Sequence, residues 1–120
     1  MKNGLVVDKF GRKHWFVNDQ LHRTDGPARI WGIGAEEWYE NGQLHRTDGP
    51  AVIRADDSQE WWSRGQLHRL DGPAWIGSYG SQWYVNGQNI TEQVLSWMQQ
   101  QAVVWPWDDQ TQMMFVLTWG

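Results

Sequence analysis

The chain has 120 residues, a formal charge of −4 and no cysteine. That length suits one domain with a modest core, and fourteen acidic against ten basic residues speak against general binding to a nucleic-acid backbone. The missing thiols exclude disulfides and thiolate metal sites. Eleven tryptophans beside three Phe and three Tyr suggest thin layers held by indoles, each removing roughly 150–250 Å² from water when buried.

Met1–Asp8 lacks the apolar run of a signal peptide, and no stretch reaches the ~20 apolar residues of a membrane span. The expectation is a soluble, cytoplasmic protein with no membrane role. Leu5-Val6-Val7 and Trp15 align with later segments as the trailing half of a repeat. The nine residues Gln20–Ala28 then recur almost unchanged at Gln43–Ala51 and Gln66–Ala74, so that His22, His45 and His68 are spaced 23 residues apart. The units run over 15–37, 38–60 and 61–82. A fourth starts at Trp83 and abandons the motif, with Asn89-Ile90-Thr91 in place of Leu-His-Arg. Stacked repeats need atypical ends of this kind.

Local signals within a unit are for β-structure. Trp38-Tyr39-Glu40 is short and aromatic, and Asn41-Gly42 is a strong two-residue hairpin signal, repeated at Asn86-Gly87 and more weakly at Asn18-Asp19 and Arg64-Gly65. Thr47-Asp48-Gly49-Pro50 reads as a second turn, and Ala51–Arg54 as a third short strand. A two-residue loop pairs Glu40 with Gln43, Tyr39 with Leu44, Trp38 with His45 and Glu37 with Arg46; the third unit pairs Glu60 with Arg69. Paired residues share a face, so each motif His is expected against its unit's Trp, with a Glu–Arg pair beside it.

Residues 5–88 are thus expected to form nine or ten short strands. Beyond Asn89, Ile90, Val94, Met98 and Ala102 recur every four residues, joined by Leu95. This predicts a helix over 92–101 with Thr91 as N-cap and an Ile90–Leu95 staple. Trp105-Pro106-Trp107 ends it, and Gln112–Trp119 has the composition of a closing strand. The expected fold is a single mainly-β domain over 1–120: an antiparallel meander of repeated hairpins, with a helix-plus-strand cap over 89–120.

The motif side chains are His22, Arg23 and Asp25, then His45, Arg46 and Asp48, then His68, Arg69 and Asp71. His-Arg-x-Asp resembles part of a protein-kinase catalytic loop but lacks the downstream Asn and every other kinase element. An active site needs one special constellation, whereas a scaffold reuses one solution in every unit. The three sets are therefore assigned a structural role: Arg and Asp lock the turn by charge-assisted hydrogen bonds while His packs on Trp. No catalytic residue is assigned. Strands lie ~4.8 Å apart, so consecutive motif histidines are too far apart to share a zinc ion, and neither a metal nor a cofactor is expected. Residues that vary between units are better candidates for contact: Arg29, Trp31, Arg54, Trp75 and Tyr79, with Val52 and Ile33 nearby. Trp105 and Trp107 join them as candidate exposed anchors, or as filling beneath the C-terminal helix.

The run Trp38-Tyr39-Glu40-Asn41-Gly42-Gln43-Leu44-His45-Arg46-Thr47-Asp48-Gly49-Pro50-Ala51 resembles a MORN-like repeat. The variety is the "WYxNGxLHRxDGPA" type of bacteriophage, some bacterial and giant-virus proteins. The resemblance covers about residues 5–88 and implies a hairpin scaffold, generally non-enzymatic, for protein or ligand contact. A phage origin would suit an accessory or counter-defence factor acting on a host or defence component in the host cytoplasm.

Three functions remain, in this order. The first is a non-catalytic module binding a protein partner, with self-association through any uncovered edge. The second is a small-ligand binder holding a nucleotide between Arg, His and Trp. The third is a hydrolase with a His and carboxylate at the cap.

Overall fold

The computed structural model describes residues 1–120, an elongated body of 52 × 26 × 21 Å. Its repeat is built around a Trp that belongs to two ladders at once. Trp38 donates its N–H to the Ala51 carbonyl at 2.7 Å and accepts the His45 N–H at 3.0 Å. Trp15 and Trp61 do the same with Ala28 and His22, and with Ala74 and His68. Before each Trp the chain lies in a long sheet; after it, in a short hairpin.

The long sheet begins with β1 (Gly4–Val7) and β2 (Lys13–Val17). It continues antiparallel through Arg29–Ile30, Glu36–Glu37, Val52–Ile53, Gln59–Glu60, Trp75–Gly77 and Gly80–Gln82, with Gln20–Leu21 paired to β2 beside this path. Each unit adds two strands, a step of roughly 10 Å. The hairpins Tyr39–Glu40/Gln43–Leu44, Trp62–Ser63/Gln66–Leu67 and Tyr84–Val85/Gln88–Asn89 form their own two-stranded ladders. Fifteen strands result, more than the nine or ten expected, because Trp38, Trp61 and Trp83 each cut one expected strand into two pieces.

Pairing of Tyr39 with Leu44 and Glu40 with Gln43 follows the two-residue loop. The arithmetic fails one step beyond Trp38. Glu37 lies in the long sheet opposite Arg29 and Val52, and its carboxylate meets Arg29 at 3.4 Å rather than Arg46. Likewise Glu60 pairs with Arg54, not Arg69. Separate ladders leave no shared register across the pivot.

Each hairpin is bonded to the next. In the central pair the Arg46 N–H meets the Trp62 carbonyl at 3.1 Å and the Gly65 N–H meets the Leu44 carbonyl at 2.9 Å. All four turns carry positive φ at both central residues, including Asn41 at 52° with Gly42 at 78°, and Arg64 at 50° with Gly65 at 81°. This is the turn geometry whose twist suits a two-residue hairpin.

The C-terminal cap differs from expectation in one element. α1 (Thr91–Gln101) is present, with Val94 and Met98 buried on its inner face. Its N-cap is Ile90 rather than Thr91, and the side-chain Oδ1 of Asn89 accepts the Thr91 N–H at 3.0 Å. Leu95 is half exposed, so it makes no staple with buried Ile90. Gln112–Trp119 is no strand: Asp109–Trp119 form a second helix, α2. Asp108 caps it, accepting the Thr111 N–H at 2.8 Å. The helix sets Thr111, Phe115 and Trp119 on one face. Phe115 is fully buried, with Trp107 at 4.8 Å, Trp119 at 5.0 Å and Trp97 at 6.1 Å between ring centres. β-Branched Thr and Val cost a helix only tenths of a kcal/mol each, whereas burying one Phe returns about 1.5–3 kcal/mol. Packing therefore overrides propensity.

Arg64 occupies a left-handed position where the other units place Asn. Arg64→Asn is expected to stabilise the protein by about 1 kcal/mol, read as a higher urea midpoint with unchanged slope.

Candidate functional site

The motif repeats as one interlocked cell. In the second unit the Arg46 guanidinium lies 3.8 Å from the centre of the Trp38 ring. Its Nε–H donates to Asp48 at 2.9 Å and its Nη1–H to the Pro50 carbonyl at 3.1 Å. Arg23 and Arg69 repeat this over Trp15 and Trp61, at 4.0 and 3.8 Å, each bonding Asp25 or Asp71 and the carbonyl of Pro27 or Pro73. The Asp side chains are 71–85% exposed, so the ion pair itself is screened and contributes at most about 1 kcal/mol. The stacked, half-buried guanidinium contributes more, through cation–π attraction and its bond to a carbonyl.

Gly and Ala complete the cell by being small. A Cβ on Gly26 or Gly49 would come within 2.7 or 3.0 Å of the guanidinium carbon of Arg23 or Arg46. Ala28, Ala51 and Ala74 are fully buried. The imidazoles join the units. Nδ1 of His22, His45 and His68 accepts the backbone N–H of Asn41, Arg64 and Asn86 at 2.9–3.0 Å. The side chain stacked on each motif Trp is the Arg guanidinium, which lies flat on the indole while bonding the turn. An accepting Nδ1 leaves the proton on Nε2, and burial pushes the His68 pKa down.

At the fourth Trp the cell is rebuilt from other parts. Thr91 stands at the Arg position, and its hydroxyl accepts the Trp83 N–H at 2.9 Å, where inner units use the Ala carbonyl. Trp107 stacks on Trp83 with ring centres 6.2 Å apart, in place of a guanidinium.

Between successive turns run two polar grooves. The first, of about 270 Å³, is lined by Arg23, Asp25, Trp38, Glu40, His45 and Asp48. The second, of about 580 Å³, is lined by Arg46, Asp48, Ser63, His68, Arg69 and Asp71. Ser63 takes the place of Glu40, so the His45–Glu40 approach of 3.7 Å has no counterpart beside His68.

The variable residues do not gather into one site. Arg29 and Trp31 lie together on the long sheet, with the Arg29 guanidinium 5.2 Å from the Trp31 ring and its Nε–H donating to His14 at 3.2 Å. His14 in turn bonds Asp8 at 3.2 Å. Partial desolvation alone would raise the Asp8 carboxyl, but hydrogen bonds from His14, Arg12 and two backbone amides outweigh it and hold the group far below the usual range. Arg54 pairs with Glu60, Trp75 packs on Gly77, and Tyr79 is fully exposed. Trp105 and Trp107 are half-buried members of the cap cluster, Trp105 also facing Arg69 at 5.6 Å.

Sequence reasoning missed the outer face of α2, where Met113, Val116 and Leu117 are 64%, 38% and 80% exposed, with Val104 80% exposed in the preceding loop. The Asp108-Asp109 pair ahead of an apolar run was the available signal. No helix is long and apolar enough to cross a membrane. Models of known protein families, curated proteins and solved structures contain no match to this chain.

The three glycines of the motif make a graded test. At Gly72 a Cβ would meet Trp105 at 2.5 Å as well as Arg69 at 2.8 Å, whereas at Gly49 it would meet only the end of the Arg46 side chain, at 3.0 Å. Gly72→Ala is expected to cost about 2–3 kcal/mol and Gly49→Ala about 1 kcal/mol, measured by urea unfolding.

Proposed function

We propose that this chain is a non-catalytic scaffold that binds a protein partner through its C-terminal cap. The observation that carries this reading is the apolar strip of Met113, Val116 and Leu117 on α2, flanked by Val104. These positions follow i, i+3, i+4 spacing, so they form one outward stripe, the pattern by which a helix docks in an apolar groove. Residues 89–120 contain Glu92, Asp108 and Asp109 and no Lys, Arg or His. The partner's groove should therefore be apolar with a basic rim.

The motif supports this assignment from the other side. Nδ1 of each His, Nε–H and Nη1–H of each Arg and one oxygen of each Asp are engaged in holding the repeat, which supports a structural use of the motif. A nucleotide or similar small ligand in the groove beside His68 is the second reading, favoured by the wider space that Ser63 leaves. It is weaker because Arg46 and Arg69 are committed to their own turns. Kinship with MORN-like repeats and a role against a host or defence component belong to the same proposal.

Leu117→Asp tests the assignment. A partner captured by the wild-type chain from host lysate should be lost by this variant, with an unchanged melting temperature, and should weaken as salt is raised. Capture that survives both Leu117→Asp and Met113→Asp contradicts it.

A further inference from the structure

The two ends of the long sheet are finished differently. At the C-terminal end the Trp83 N–H, which in inner units reaches for the next strand's Ala carbonyl, is taken by the Thr91 hydroxyl. At the N-terminal end β1 pairs with β2 alone. The equivalent inner strands are paired on both sides, and the residues matching Leu5, namely Ala28, Ala51 and Ala74, are fully buried there. Leu5, Val6 and Val7 are instead 50%, 38% and 54% exposed.

We propose that β1 is a self-association edge, and that its occupant is β1 of a second copy, in a closed two-fold pair. Thr91 occupies one of the backbone positions that head-to-tail growth onto Gly80–Gln82 would use, which favours an isologous contact between two β1 edges. The backbone of β1 is held ready for it. Residues 2 and 3 are tied to the first hairpin turn, by the Asn18 N–H to Asn3 Oδ1 at 2.9 Å and the Asp19 N–H to the Lys2 carbonyl at 2.9 Å. Nothing about the edge carries the usual protection of a Pro, a bulge or an inward charge.

The register follows from the ladder. Trp15 turns its N–H to Ala28 and its carbonyl to His22, so Leu5, which it faces across the ladder, directs its own N–H and C=O outward, and by alternation so does Val7. Both residues are used when Leu5 of one copy lies opposite Val7 of the other, with Val6 on the axis. Leu5 and Val7 of both copies then form one apolar cluster on one face. Gly4 falls opposite Asp8, so this register sets no like charges against each other.

Light scattering coupled to gel filtration gives the mass directly. The wild-type chain is expected to run as a dimer at high concentration and to dissociate on dilution. Val7→Pro removes only an outward N–H, and Leu5→Lys places two charges at the contact. Each is expected to give a monomer that keeps the melting temperature the wild type shows when diluted to its monomer, and the second covers the case in which the proline unsettles β1. Val6→Cys, on the axis at a close-approach pair, should cross-link on oxidation, whereas Val104→Cys in the cap should not. A wild-type chain that is monomeric at its highest soluble concentration overturns the proposal. So does a dimer that survives both edge variants without Val6→Cys cross-linking.

Discussion

Everything in the repeat hangs on a guanidinium lying flat on an indole. Arg46 on Trp38, with its counterparts Arg23 on Trp15 and Arg69 on Trp61, closes the turn, covers the Trp and fixes the sizes of its neighbours. Gly must lack a Cβ because the guanidinium stands over it. Pro offers the carbonyl that receives the second Arg N–H, and Asp the first. A Lys could not replace Arg here, since a point charge neither stacks flat nor bonds two acceptors at fixed angles. The array has no thick core between its layers, so this clamp does the work a core would do. Only the cap has a conventional core, around Val94, Met98 and Phe115.

Construction of this kind separates holding from binding. Residues that repeat are fixed by one another: Arg by Trp, His by the next turn, Ala by lack of space. On the proposed reading, the surfaces that acquire specificity lie where the repeat stops. Two such places exist, and they differ in kind. The cap shows an acidic, apolar helix face, suited to a partner with opposite charge. β1 shows an uncharged strand edge, suited to its own likeness.

Much of the frame was legible in the chain, and the reasons are local. Asn41-Gly42 and Asn86-Gly87 announced their turns because few residues tolerate positive φ twice in succession. The Arg–Asp bond expected within each motif turn is present in all three units, and the hairpin register around Tyr39–Leu44 followed from the loop length. The pivot at Trp was not legible, because nothing in Glu37-Trp38-Tyr39 signals that the backbone changes ladders there. Pairing Glu37 with Arg46 carried one register across two sheets. In the cap, the Val, Thr and Phe of 111–119 read as strand, while the Asp108 cap and the buried Phe115 decided for helix. The outward stripe on α2 was hidden by that same misreading.

The clamp itself is open to direct measurement by the exchange of arginine side-chain Nε–H protons in ¹⁵N-resolved NMR. Arg64 is exposed at a hairpin turn, has no such stack, and serves as the internal reference. Arg23, Arg46 and Arg69 are expected to give three slowly exchanging Nε–H signals shifted by the indole rings, all lost together on unfolding. Exchange of those three protons as fast as that of Arg64, without ring shifts, would contradict the clamp and with it the structural reading of the repeated motif.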